Sequence, residues 1–115
     1  MIGAGYMQSA GATAVISDYA VNVTPDNLDV DAPNGGYASP VFRADPVNGV
    51  GPFTFTWALS NPDAGLTRTD TSVTQITASG FTPDLITGTL TCVCTDTGNG
   101  NALTQTIINF SIQFV

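Results

Sequence analysis

The sequence predicts an all-β chain folded as a two-sheet antiparallel sandwich, and three observations predict it. In Phe53-Thr54-Phe55-Thr56-Trp57-Ala58-Leu59, alternation puts Phe53, Phe55, Trp57 and Leu59 on one face, the period of a strand with one buried side. The alternation returns in Gly88 to Asp96 and, after the turn residues Gly98-Asn99-Gly100-Asn101, in the run from Ala102 to Val115. Composition agrees: 43% of residues are hydrophobic and only 10% charged, so Thr, Gly, Asn and Ser carry the polarity, which suits short strands and tight turns rather than charged helices.

At 115 residues the chain suits one domain, able to bury roughly two-thirds of its unfolded surface without a metal or disulfide. Residues 1–12 are Gly/Ala-rich, uncharged and without period, so they are expected to be a flexible N-terminal arm ahead of a domain spanning residues 13–115. Tyr6 and Met7 are the side chains with which that arm would anchor on a partner. A first strand is expected from Ala14 to Thr24, with Val15, Tyr19, Val21 and Val23 inward and Pro25 ending it. Residues 26–36 read as a loop, with Leu28 and Val30 as a short edge segment.

The second strand is expected over Ser39 to Asp45, Phe42 and Ala44 inward, with Pro46 and the Asn48-Gly49-Val50-Gly51-Pro52 run turning into the tryptophan strand. After a turn at Asn61 to Gly65, Thr-rich strands around Leu66 to Thr69 and Val73 to Ala78 suit an exposed edge. Ser79 to Asp84 crosses over, with Phe81 tucked beneath. The closing hairpin, Leu90, Cys92 and Cys94 facing Ile108, Phe110, Ile112 and Phe114, is expected to be the central strand pair.

All nine acidic residues are aspartates; there is no Lys, Glu or His, and Arg43 and Arg68 are the only bases, giving a net charge of -7. Two arginines cannot build a phosphate-binding patch, so neither nucleic acid nor anionic membrane is expected as a partner. Without His, Lys or Glu, a Ser-His-Asp triad, a Cys-His pair and a lysine nucleophile are impossible, so no enzyme and no catalytic residue is expected. Cys92 and Cys94 lie two apart in a strand and point the same way, so buried free thiols are expected, not a disulfide or a metal site. The one ligand-like cluster is Asp26, Asn27, Asp29 and Asp31, whose hard oxygens would suit Ca²⁺; it lacks EF-hand spacing, and a solvated acidic loop is the stronger reading.

Gly51-Pro52-Phe53-Thr54-Phe55-Thr56-Trp57 and Gly88-Thr89-Leu90-Thr91-Cys92-Val93-Cys94-Thr95-Asp96-Thr97-Gly98 resemble the tryptophan and penultimate strands of bacterial and phage immunoglobulin-like domains of the PKD and Big type. The resemblance covers residues 38–115 and implies an immunoglobulin-like sandwich of about seven strands. Departures are specific. Leu90 stands where the corner tyrosine usually sits, no second cysteine can pair with Cys92, and the acidic continuation typical of PKD repeats reads Trp57-Ala58-Leu59-Ser60-Asn61.

With an arm, an acidic surface and no visible export signal, the resemblance implies a virion component made in the host cytoplasm: a phage capsid decoration (cement) or head-tail accessory protein adhering to a major capsid or other virion protein. The alternative is a carbohydrate or cell-surface binding module, for which Tyr37 is the exposed aromatic candidate. A trimer or other small homo-oligomer is also expected, because the apolar closing strand would leave an edge to cover.

Overall fold

The structure, a computed structural model, describes residues 18–115. The arm, its anchors Tyr6 and Met7, and the start of the first expected strand lie outside the described residues. Ten strands follow in order: β1 (Ala20–Thr24), β2 (Leu28–Ala32), β3 (Gly35–Ala38), β4 (Phe42–Val47), β5 (Phe53–Leu59), β6 (Ala64–Leu66), β7 (Val73–Thr74), β8 (Ile76–Gly80), β9 (Leu85–Asp96) and β10 (Ala102–Phe114).

They form two layers. One is a four-stranded sheet in the order β2-β10-β9-β5, with β2 parallel to β10 and the other pairs antiparallel. The other is a sheet in two pieces, β1-β4-β7 and β3-β8-β6. The pieces are halves of the same two runs: Ala38 pairs with Thr77 and Phe42 with Thr74, so residues 39–41 face residues 75–76, one residue in excess. That excess is a bulge. Buried Ser39 fills it, its N–H donating to the Ile76 carbonyl at 2.9 Å, its hydroxyl accepting from the Ile76 N–H at 2.8 Å, and its carbonyl accepting from the Gln75 amide at 2.8 Å. Joined through the bulge, the layers have the strand arrangement of an immunoglobulin sandwich: β1, β4/β3, β7/β8 and β6 on one side, β5, β9 and β10 with β2 on the other.

The predicted alternation supplies the core. Phe42, Ala44, Trp57, Leu90, Cys92, Cys94, Ile108, Phe110, Ile112 and Phe114 are all buried, as are Val21 and Val23 of β1. Trp57 lies directly opposite Cys92, and its indole N–H donates to the Thr71 carbonyl at 2.6 Å, so the one polar atom of the largest core side chain has a partner. β9 and β10 are the central pair, as expected.

Four expectations are corrected. Residues 26–36 are not one loop: β2 is a full strand because the long β10 offers it an edge from Phe110 to Phe114, and β3 begins at Gly35. The second strand starts at Phe42 rather than Ser39 and runs through Pro46 to Val47. Pro46 fits because it faces Val21, whose carbonyl points away from β4 to accept a hydrogen bond from the Thr106 hydroxyl; no ladder donor is required there. The edge strand expected from Leu66 to Thr69 instead occupies Ala64–Leu66. Phe81 is 65% exposed, because its turn is closed by the Asp84 N–H on the Phe81 carbonyl (2.7 Å) and the Phe81 N–H on the Asp84 carboxylate (2.9 Å), which leaves the ring outside.

Candidate interaction face

The chain's chemically distinctive side chains are consumed inside the fold. Asp96, fully buried at the end of β9, accepts the backbone N–H groups of Val50 at 2.7 Å and Gly51 at 2.9 Å, clamping the loop that leads into β5. Gly98 sits so close beneath that loop that a Cβ would lie 1.9 Å from the Gly51 carbonyl oxygen, which excludes any larger residue without backbone movement. Cys92 and Cys94 are buried free thiols, as predicted. Burial pushes the Cys92 thiol up to about 12 and raises Cys94 as well, so neither is a nucleophile near neutral pH.

Tyr19 is a tie that sequence reasoning missed. Its hydroxyl donates to the Cys94 carbonyl at 3.1 Å and lies 3.4 Å from the Cys94 sulfur, while its ring stacks on Phe53 with centroids 6.2 Å apart. Burial raises its phenol pKa, with the Cys94 contact adding to the effect. A tyrosine hydroxyl therefore does pin the strand of Cys92 and Cys94, from the residue just before β1 rather than from the position occupied by Leu90. Among the described residues, no buried side-chain nitrogen or oxygen is left without a partner.

Of the expected binding residues, Tyr37 and the aspartates of the acidic cluster lie among the described residues. Tyr37 on β3 is partly buried and packs against the core, with its phenol raised by burial, so it is not an exposed platform. Its position in the alternation of β3 turns it inward, a pattern hidden in the sequence by Gly35 and Gly36. Asp29 and Asp31 project from the outer side of β2, and Asp26 precedes that strand. Among the described residues, no three carboxylate, thiol or imidazole groups gather to hold a cation. The cluster needed a loop able to wrap an ion; a strand sets alternate side chains in parallel, roughly 7 Å apart. Surface depressions are shallow and open: one of about 590 Å³ is lined by β1, Pro25, Asp26 and Thr106, and another of about 340 Å³ by Asp63, Asp84 and Ser79.

What the fold builds on its outside is a face. Pairing in register places Thr54, Thr56 and Ala58 of β5 beside Thr95, Val93 and Thr91 of β9, and these beside Leu103, Gln105 and Ile107 of β10. The same row continues through Thr89, Thr87 and Leu85 with Asn109, Ser111 and Gln113. None of these residues is charged. Leu103, Ile107 and Leu85 stand on it 68%, 56% and 56% exposed. Charge borders it on both sides: at β2, where Asp29 pairs with Ser111 and Asp31 with Gln113, and beside β5, where Arg68 and Asp70 flank Thr69, whose carbonyl accepts the Trp57 N–H at 3.0 Å. Arg43 lies in the other sheet, on β4. The sequence signal existed, since Asp96 is the only charged residue between Leu85 and Val115, but only the register shows that the uncharged residues share one surface.

No family model and no curated protein sequence matches the chain. Similar solved structures include the ASH/PapD-like domain 7 of human CEP192 (TM-score 0.66, 9% identity, 93% of this chain and 92% of that one). They also include the PKD domain of human KIAA0319 (TM-score 0.55, 14% identity, 93% of each chain). A Bacteroides ovatus GH5 xyloglucanase solved with a heptasaccharide is similar over 84% of this chain but only 19% of its own (TM-score 0.54, 20% identity). At these identities the likeness is one of fold.

Proposed function

We propose that this immunoglobulin-like sandwich is a non-enzymatic structural or binding module that works by surface contact through the uncharged face of β5, β9 and β10. The observation that carries the reading is the segregation of charge. On a molecule of net charge -7, the outward residues of three adjacent strands include no ionic group, and depletion of charge is the compositional mark of an interface centre. The groups that could do chemistry, Asp96, Cys92, Cys94 and Tyr19, are committed to internal bonds or burial.

The finer reading is a virion component, a phage capsid decoration or head-tail accessory protein made in the host cytoplasm, with a major capsid or other virion protein as partner. Its support is the motif resemblance together with this adhesive face, and the N-terminal anchors Tyr6 and Met7 remain part of the proposal. Cosedimentation of the tagged chain with purified virions of the phage that encodes it tests this: binding lost in Ile107→Asp supports the reading, and no binding at any concentration rejects it.

The alternative, a carbohydrate or cell-surface module, draws support from the xyloglucanase likeness, where the chain matches a small part of a larger sugar-acting protein. Among the described residues, the exposed ring available for stacking is Phe81 rather than Tyr37. Glycan-array binding that disappears in Phe81→Ala would favour it over the virion reading.

A further inference from the structure

Along its outer edge, β1 carries backbone groups with no partner among the described residues, and we propose that residues 12–16 of this chain fold back to pair with them. Register identifies the groups. Val21 faces Pro46, which has no N–H, and Val23 faces Ala44, whose N–H donates to the Ser72 carbonyl at 2.8 Å on the other side of β4. Neither pair exchanges ladder bonds, so the N–H and C=O groups of Val21 and Val23 point away from β4. The Val21 carbonyl accepts from the Thr106 hydroxyl; among the described residues, nothing meets the two N–H groups or the Val23 carbonyl.

The sandwich is open beside this row. β2 covers β10 only from Phe110 onward, and a depression of about 590 Å³ runs along β1, lined by Val21, Val23, Pro25, Asp26 and Thr106 among others. Val21 and Val23 are nevertheless only 2% and 7% exposed, and backbone donors so far from water are almost always paired. Donors two residues apart, about 7 Å along the strand, fit another extended chain.

Position and composition select the occupant. Residues 1–17 join the described chain at Asp18, which lies in a turn two residues ahead of β1. The segment just before that turn is tethered beside the open edge, and so short a reversal closes at small entropic cost. Ala12-Thr13-Ala14-Val15-Ile16 is uncharged, holds neither Gly nor Pro, and includes three β-branched residues. Its five residues match the five of β1, about 16 Å in each case. Paired antiparallel, it supplies the missing acceptors and donor and takes over from β1 as the outermost strand. Residues 1–11, with Tyr6 and Met7, stay outside this pairing.

Disulfide trapping in the full chain tests it. Asn22→Cys, on the exposed side of β1, is combined in turn with Ala12→Cys, Thr13→Cys, Ala14→Cys and Val15→Cys; the buried Cys92 and Cys94 thiols stay out of the reaction. The expected yield under mild oxidation alternates along the four positions, because a strand turns every second side chain toward Asn22, and the product is a monomer. A smooth profile overturns the strand, and a covalent dimer overturns this copy as its source. Amide hydrogen exchange supplies a second reading: in Thr13→Pro/Ala14→Pro, which strips donors from either register, the Val21 and Val23 amides should exchange at least about tenfold faster than in the parent chain while the Cys92 amide is unchanged. Equal exchange of Val21 and Val23 in the two proteins would also overturn the proposal.

Discussion

The two outer surfaces of the sandwich are built from the same strand grammar and differ in what they display. On the β1-β4-β7 side, Arg43 and Asp45 of β4 stand beside Thr24 and Asn22 of β1, a mixed polar surface of the kind that keeps a sheet soluble and monomeric. On the β5-β9-β10 side, hydroxyls, amides and three exposed aliphatic residues form a surface that does nothing to discourage contact. Both sheets rest on one apolar interior. The contrast teaches that burial explains every inner residue, while charge placement separates a solvated face from one available to a partner.

Damage to the shared interior should erase both faces together. Trp57→Ala removes the largest buried side chain and its bond to Thr71, and should cost about 3–5 kcal/mol in denaturant unfolding, enough to leave little folded protein. Asp96→Ala should cost about 2–3 kcal/mol, because the N–H groups of Val50 and Gly51 lose a charged acceptor. Asp96→Asn, which keeps one acceptor oxygen, should lose less. If Asp96→Ala melted like the parent chain, the loop clamp would be dispensable.

Alkaline pH probes the same interior more gently. The folded Cys92 thiol titrates near 12 against an ordinary value of 9.0, so its contribution to stability is whole below about pH 9 and is lost as pH rises toward 12. The melting temperature should fall across that window, and the fall should be shallower in Cys92→Ala, itself less stable at pH 7. Thiol reagents should react with both cysteines only after unfolding. The smallest stability effects belong to the outer faces: Ile107→Asp and Asn22→Asp should each change unfolding free energy by no more than about 0.5 kcal/mol. A large loss of stability in Ile107→Asp would mean that this face supports the fold rather than a partner.

Much of the fold was legible in residue order. The inward sets of β5, β9 and β10, the free thiols and the strength of the last hairpin follow from period two alone, because a pleated strand with one wet side leaves no other place for its apolar residues. Less legible were β2, whose aspartates disguise a strand that exists because β10 offers it an edge, and the Ser39 bulge, a compensation between two runs that do not touch in sequence. The candidate site was hardly legible at all. Tyr37 looked exposed until its strand turned it inward, and Asp26, Asp29 and Asp31 looked like a cluster until β2 spread them out.

By itself, the order of residues determined which side of each long strand would be dry, and it removed the chemistry that needs imidazole, amine or glutamate. Tertiary structure alone decided which strands became neighbours, and with that the partner of Tyr19, the clamp at Asp96 and the union of three uncharged rows into one face. The physical reason is range: alternation is a local property of the backbone, whereas a surface is made by register between strands brought together from distant parts of the chain.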